Sequence, residues 1–163
     1  ATNSVHRQVL DGITGLELVD HAGRARSLPE EARAHLARAT LDAIAFEVRD
    51  VVDAMTDEAG LSVPSLQVDG GASGNDLLCQ LQADQLGVPV QRPKVLETTA
   101  LGAAFLAGLG AGVWSSTDEL GDAWQVDQRF EPGMDDATRQ HLRHGWSEAV
   151  DRSRGWAHVT DDA

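Results

Sequence analysis

Between residues 65 and 93 the chain reads SLQVDGGASGNDLLCQLQADQLGVPVQRP, and that order leaves few architectures open. Ser65 to Val68 is a strand-sized run. Gly70 and Gly71 follow it, and a helical period begins almost at once, with Leu77, Leu78, Leu81 and Leu86 as its apolar positions and Gly87 as its stop. VPVQRP then reads as a second short strand, closed by Pro93. A helix precedes this unit and another follows it. Such alternation predicts an α/β domain with a partly parallel sheet.

The preceding helix opens at Pro29, Glu30 and Glu31, where a proline suits the first turn and carboxylates complement the positive end of the helix dipole. From there Leu41, Ile44, Val48, Val51, Val52 and Met55 recur at spacings of three and four, which predicts a long helix with one face on the core and a stop at Gly60. Beyond the second strand, Ala100 to Leu109 is a helix of small residues, suited to packing, with Thr98 and Thr99 as its cap and Glu97 toward solvent. STDEL is a capped helical turn and QVDQRFEP is extended; a last amphipathic helix starts near Asp135 or Asp136. Residues 1–30 are the least legible. Within them, GLELVDHAGRARSLP suggests two strands about a turn at Ala22-Gly23.

Composition narrows the function. With 163 residues, 42% of them hydrophobic, one domain with a sizeable core is expected. The net charge of -13 argues against a nucleic-acid binder and against an anionic membrane surface. It leaves room for a nucleotide held by backbone N–H groups. No uninterrupted apolar run of membrane-spanning length is present, and the N-terminus lacks a signal-peptide pattern. The lone Cys79 on a leucine-rich helix reads as a small buried hydrophobe in a reducing compartment, so a cytoplasmic protein is expected. His35, His141 and His144 have no partners at convincing metal spacing, and no metal site is assigned. Trp114, Trp146 and Trp156 read as packing anchors.

The double glycine admits two readings. In one, Gly70 and Gly71 only make a tight turn, and Ser73 or Asn75 caps the next helix. In the other, they let a flat ligand lie against bare backbone at the carboxyl end of a strand, where open α/β sheets collect ligands. The pattern is neither that of a dinucleotide-binding turn nor that of a P-loop.

At this point the residues carry a resemblance. VDGGASGNDLLCQLQADQLGVPVQRPKVLETTALGAAFLAGLGAGVW is similar to the C-terminal domain of the FGGY carbohydrate kinases. So are AHLARATLDAIAFEVRDVVDAM before it and FEPGMDDATRQHLRHGWSEAVDRSRGW after it. ETTALGAAFLAG, with RP just before it, most resembles the glycerol-phosphorylating members. The match runs from about Ala34 to about Trp156 and leaves residues 1–30 unmatched, with 31–163 as the domain portion.

The resemblance implies a ribonuclease-H-like domain of the actin and hexokinase type, whose sheet this chain need not complete. It implies that Gly71 packs against the adenosine part of ATP or ADP, that Asn75 bonds to it, and that Gly70 keeps the turn open. Asp69 either braces the turn or takes part in function. The nucleotide would be Mg-ATP, with its metal held mainly outside this chain. Glycerol would be bound by a missing N-terminal domain that also carries the catalytic aspartate, so no catalytic residue is assigned and the chain alone is expected to be inactive. Another sugar or polyol kinase of the family, or a non-catalytic interaction module, is the alternative. Apolar surface left by an absent partner domain suggests a homo-oligomer.

Overall fold

The computed structural model describes residues 17–19, 23–121 and 125–154. A short antiparallel pair comes first, β1 (Glu17–Val19) with β2 (Ala25–Ser27) in the register Glu17↔Ser27. The central part of its connecting turn lies outside the described residues. α1 (Glu30–Ala59) follows, with Pro29 at its N-cap, Glu30 and Glu31 in its first turn, and Gly60 ending it in the left-handed conformation at φ 64°. Both predicted boundaries therefore hold.

The strand–helix–strand unit forms as predicted. β3 (Leu66–Gln67) is shorter than the run that suggested it, and β4 (Val90–Pro93) pairs with it in parallel. Between them a 3-10 turn (Gly71–Gly74) leads into α2 (Asp76–Leu86), which Gly87 stops at φ 71°. β5 (Val126–Phe130) adds antiparallel to β4, so the sheet order is β3-β4-β5. α3 (Thr98–Gly110), the short α4 (Asp118–Gly121) and α5 (Asp136–Ser153) complete the described chain. Asp135 is the N-cap of α5, accepting from the Thr138 N–H at 2.9 Å.

α2 lies at the centre. Cys79, Ala83 and Leu86, at helical spacing, meet Val90 and Phe130 of the sheet. Leu78, Gln82 and Gln85 form its neighbouring stripe, and Arg49 of α1 donates to the Gln85 carbonyl. A helix covered on two sides needs buried residues on more than one stripe, and six of its eleven residues are buried. α5 is pinned to the same helix. Arg139 donates to the Asp84 carbonyl at 2.6 Å, and Gly133 N–H donates to the Asp84 carboxylate at 2.7 Å. Trp146 stacks on Phe46 with ring centroids 5.3 Å apart and donates to Asp50 at 2.8 Å, so it is the packing anchor expected. Trp156 lies outside the described residues.

Two expectations need correction. The apolar stripe of α1 does not face the core as a whole. Ala37 and Ala45 are its buried residues, whereas Val51 and Met55 are 59% and 64% exposed. The buried positions of α1 are thus alanines, and part of the leucine-valine-isoleucine stripe looks outward. α3 likewise has no buried residue. Among the described residues its glycines meet a side chain at most: the Trp114 ring lies on Gly108, where an added Cβ would clash with it, and meets Phe105 edge-on at 5.5 Å.

The Gln85 side chain is fully buried, and its Oε1 has no hydrogen-bond partner among the described residues. An orphaned buried carbonyl costs about 1–3 kcal/mol. Gln85→Leu is therefore expected to raise the thermal midpoint followed by circular dichroism. A lowered midpoint would show that Oε1 is satisfied by water and that the site is polar by design.

Candidate nucleotide-binding turn

The turn sits at the carboxyl end of β3, where the sequence placed it. Val68 N–H donates to Gln91 O at 3.0 Å, the last rung before the chain leaves the sheet. Gly70 then adopts φ 76°, ψ 173°, a backbone region essentially restricted to glycine. Its N–H donates to Leu96 O at 2.8 Å, and its carbonyl accepts both the Ser73 N–H, at 3.1 Å, and the Ser73 hydroxyl, at 2.7 Å. Gly70 is a glycine for reasons internal to the fold.

Gly71 is different. Its φ is not positive, and a Cβ built on it meets nothing within 4 Å. Neither conformation nor packing requires the missing side chain. What remains is bare, exposed backbone facing open space, which is the surface a flat ligand would use.

Asn75 does cap α2, as the plainer reading proposed: its Oδ1 accepts the Leu78 N–H at 3.2 Å. The cap engages only the oxygen. The side-chain amide nitrogen makes no hydrogen bond among the described residues, and the residue is half-buried. An asparagine here can hold the helix with one atom and donate to a ligand with another. Ser73, the other candidate cap, is buried and turned back onto Gly70.

Asp69 bonds to the Thr98 hydroxyl. Thr98 is thus the first residue of α3 and a brace for the turn, while the α3 N-cap is Glu97, exposed and without a side-chain cap bond. An open cleft of about 280 Å³ lies on the α1 side, lined by Ile44, Val48, Asp69, Ala72 and Ser73 among others. Gly70, Gly71 and Asn75 are not in its lining.

Sequence reasoning missed Arg92. Its guanidinium donates to Ser73 O at 3.1 Å and to Asp76 at 2.6 Å, and it binds Asp127 at 3.0 Å. Burial works against its charge, but the hydrogen bonds to Asp76 and Asp127 outweigh that and hold its pKa above the ordinary value. The only signal was an arginine in an otherwise uncharged strand. Cys79, fully buried, also donates to Ser73 O, at 3.3 Å; burial pushes its thiol up, with Arg92 opposing. It is the inert small residue expected. Among the described residues no group of three His, Cys, Asp or Glu could hold a metal.

With this geometry in place, comparison with known proteins is direct. Residues 20–111 match the model for the FGGY family of carbohydrate kinases, C-terminal domain. That is more than half of the chain, and the chain belongs to this family. Within it, the chain is 55% identical over 124 residues to the glycerol kinase of Nitratidesulfovibrio vulgaris (strain DP4), and 54% identical over 125 residues to that of Caldanaerobacter subterraneus subsp. tengcongensis. These alignments take in 76% and 77% of this chain but 25% of each relative, so the chain spans about a quarter of the length of the curated relatives it matches.

Among solved structures, Plasmodium falciparum glycerol kinase with ADP superposes with a TM-score of 0.69 at 27% identity, covering 94% of this chain and 34% of that one. Gluconate kinase from Lactobacillus acidophilus gives 0.59 at 25% identity, over 80% of this chain and 27% of that one. The fold is the ribonuclease-H-like type of actin and hexokinase, carried here in part.

The two glycines separate cleanly by substitution. Gly70→Ala is expected to destabilise by roughly 1–3 kcal/mol through backbone strain alone. Gly71→Ala is expected to change stability by less than about 1 kcal/mol. Urea unfolding of the two variants checks this; equal losses would mean that Gly71 too is needed by the fold.

Proposed function

We propose that this chain is the nucleotide-binding part of an ATP-dependent glycerol phosphotransferase, whose overall reaction is ATP and glycerol to ADP and glycerol 3-phosphate. The observation that carries the nucleotide reading is Gly71, a residue whose missing side chain the fold does not use. In this reading Gly71 lies against the adenosine, Asn75 donates to it through its uncommitted amide, and Gly70 shapes the turn. Sequence identity above one half to glycerol kinases supports glycerol over the sugars of other family members. The ADP in the Plasmodium enzyme's structure supports the nucleotide.

Mg-ATP supplies the phosphoryl group. Its metal, the catalytic aspartate and the glycerol site belong, in this proposal, to parts of the enzyme beyond this chain. Residues 31–163 are then the domain portion proper. Residues 1–30 stand before it; among the described residues their two strands pair with each other and not with the three-stranded sheet, although the family match reaches back to residue 20. No helix among the described residues is long and apolar enough to cross a membrane. We place the protein in the cytoplasm, where a buried unpaired thiol such as Cys79 is at home.

Calorimetric titration of ADP into the chain tests the site. Wild type should bind, Gly71→Ala should weaken binding by tenfold or more, and Asn75→Ser, which keeps a capping oxygen, should weaken it without unfolding α2. Loss of affinity in neither variant would remove the adenosine assignment. In a coupled assay the 163-residue chain should show no glycerol-dependent ATP turnover, because one side of a clamp cannot position both reactants. Clear turnover would overturn that part of the proposal.

The outward Val51 and Met55 of α1, with Leu106 and Val113 at 70% and 68% exposure, form apolar surface that we read as self-associating in the isolated chain. Light scattering should show mass rising with concentration; a constant monomer mass would refute this.

A further inference from the structure

We propose that Arg92 is the positioning residue of the glycine turn: its guanidinium fixes where Gly71 and Asn75 stand relative to the sheet, and so how they meet the nucleotide. The second half of this claim rests on the nucleotide reading given above; the first half stands on geometry alone.

Gly70 N–H on Leu96 O and Asp69 on Thr98 tie the start of the turn, and Cys79 touches the Ser73 carbonyl; Arg92 is the group that ties its later part to the sheet. Arg92 reaches it from β4, the strand parallel to β3, across a sequence separation of 19 residues to Ser73 and 16 to Asp76. One nitrogen, Nη1, serves both contacts. It donates to the Ser73 carbonyl within the 3-10 turn and to the carboxylate of Asp76 in the first turn of α2. These two residues flank Asn75, so a single atom clamps the segment from both sides.

The rest of the guanidinium faces the other way. Nε and Nη2 hold the Asp127 carboxylate at 3.1 and 3.0 Å, Nη2 also donates to the Gln128 side chain at 3.0 Å, and the group lies 5.5 Å from the Phe130 ring centroid. The Arg92 side chain is only 11% exposed.

The β4–β5 ladder is irregular beside this arginine. β4 and β5 run in register from Val90↔Phe130 to Arg92↔Gln128, and the next pair is Pro93↔Val126. Asp127 is the extra residue of a bulge. Bulges re-aim side chains beside functional sites, and here the re-aimed carboxylate meets the arginine. Anchored on β5 and stacked over Phe130, the fork has little freedom, and its direction toward Ser73 and Asp76 is set. A rigid planar fork is the group suited to such a task; an ammonium has the charge but cannot hold two carboxylates and a carbonyl at fixed angles.

Hydrogen exchange, thermal melting and ADP titration on wild type, R92K, R92M and D127N test the proposal. R92K should keep the fold, speed amide exchange over residues 70–78 by about tenfold while α1 and α5 exchange as in wild type, and weaken ADP by a similar factor. D127N, which frees the fork without removing it, should give a smaller change in the same segment. R92M should match or exceed R92K wherever it folds.

Unchanged exchange over 70–78 in R92K would overturn the proposal. So would loosening spread evenly over α1, α2 and the sheet, which would make Arg92 a general stabiliser. Exchange needs no ligand. Wild type that fails to bind ADP would therefore strike the nucleotide reading, while the exchange pattern would still decide whether Arg92 positions the turn.

Discussion

The contact around which the candidate turn is organised is between a charge and a carbonyl: Arg92 donates to Ser73 O from the middle strand of a three-stranded sheet. β3 contributes two residues and β5 five, so the sheet alone has little ladder with which to fix the loops at its end. A guanidinium that joins β4, β5, the turn and α2 replaces ladder length with a branched set of charge-assisted bonds. It is nearly buried while Asp76 and Asp127 remain about half exposed. The carboxylates thus keep part of their hydration, and the desolvation cost that can outweigh a buried ion pair falls mainly on one partner.

The second organising feature is the covered position of α2. Its sheet-facing stripe carries the core with Val90 and Phe130, and its other stripe meets α1 at Arg49. Everything proposed for function hangs from the N-terminus of this helix. Asn75 caps it, Asp76 opens it, and Cys79 one turn later touches the same carbonyl that Arg92 holds. A rigid central helix gives the turn a fixed base, while the turn itself stays exposed at Gly71.

The sequence was legible where the physics is local. Pro29 and Gly60 bounded α1, Gly87 ended α2 and Asp135 capped α5, each through rules that act over one turn of chain. The strand–glycine–helix order located the candidate turn, but the glycines themselves did not say which was conformational and which was bare; only φ and open space separated Gly70 from Gly71. The facing of the α1 stripe was misread because periodicity shows that a helix is amphipathic and not what stands opposite it. Arg92 was invisible because its partners lie 16 to 36 residues away and depend on a strand pairing that no local pattern announces.

The bulge at Asp127 has a bearing on how this chain can vary in length. Elsewhere in β5 a regular ladder would be the most stable arrangement, and deleting one residue at the irregularity would restore it. The same deletion would remove the carboxylate that braces Arg92 or swing it to the opposite face. Sheet regularity and the anchored arginine are alternatives, so β5 admits replacement more readily than shortening, and a relative lacking this residue would have to hold its glycine turn by some other means.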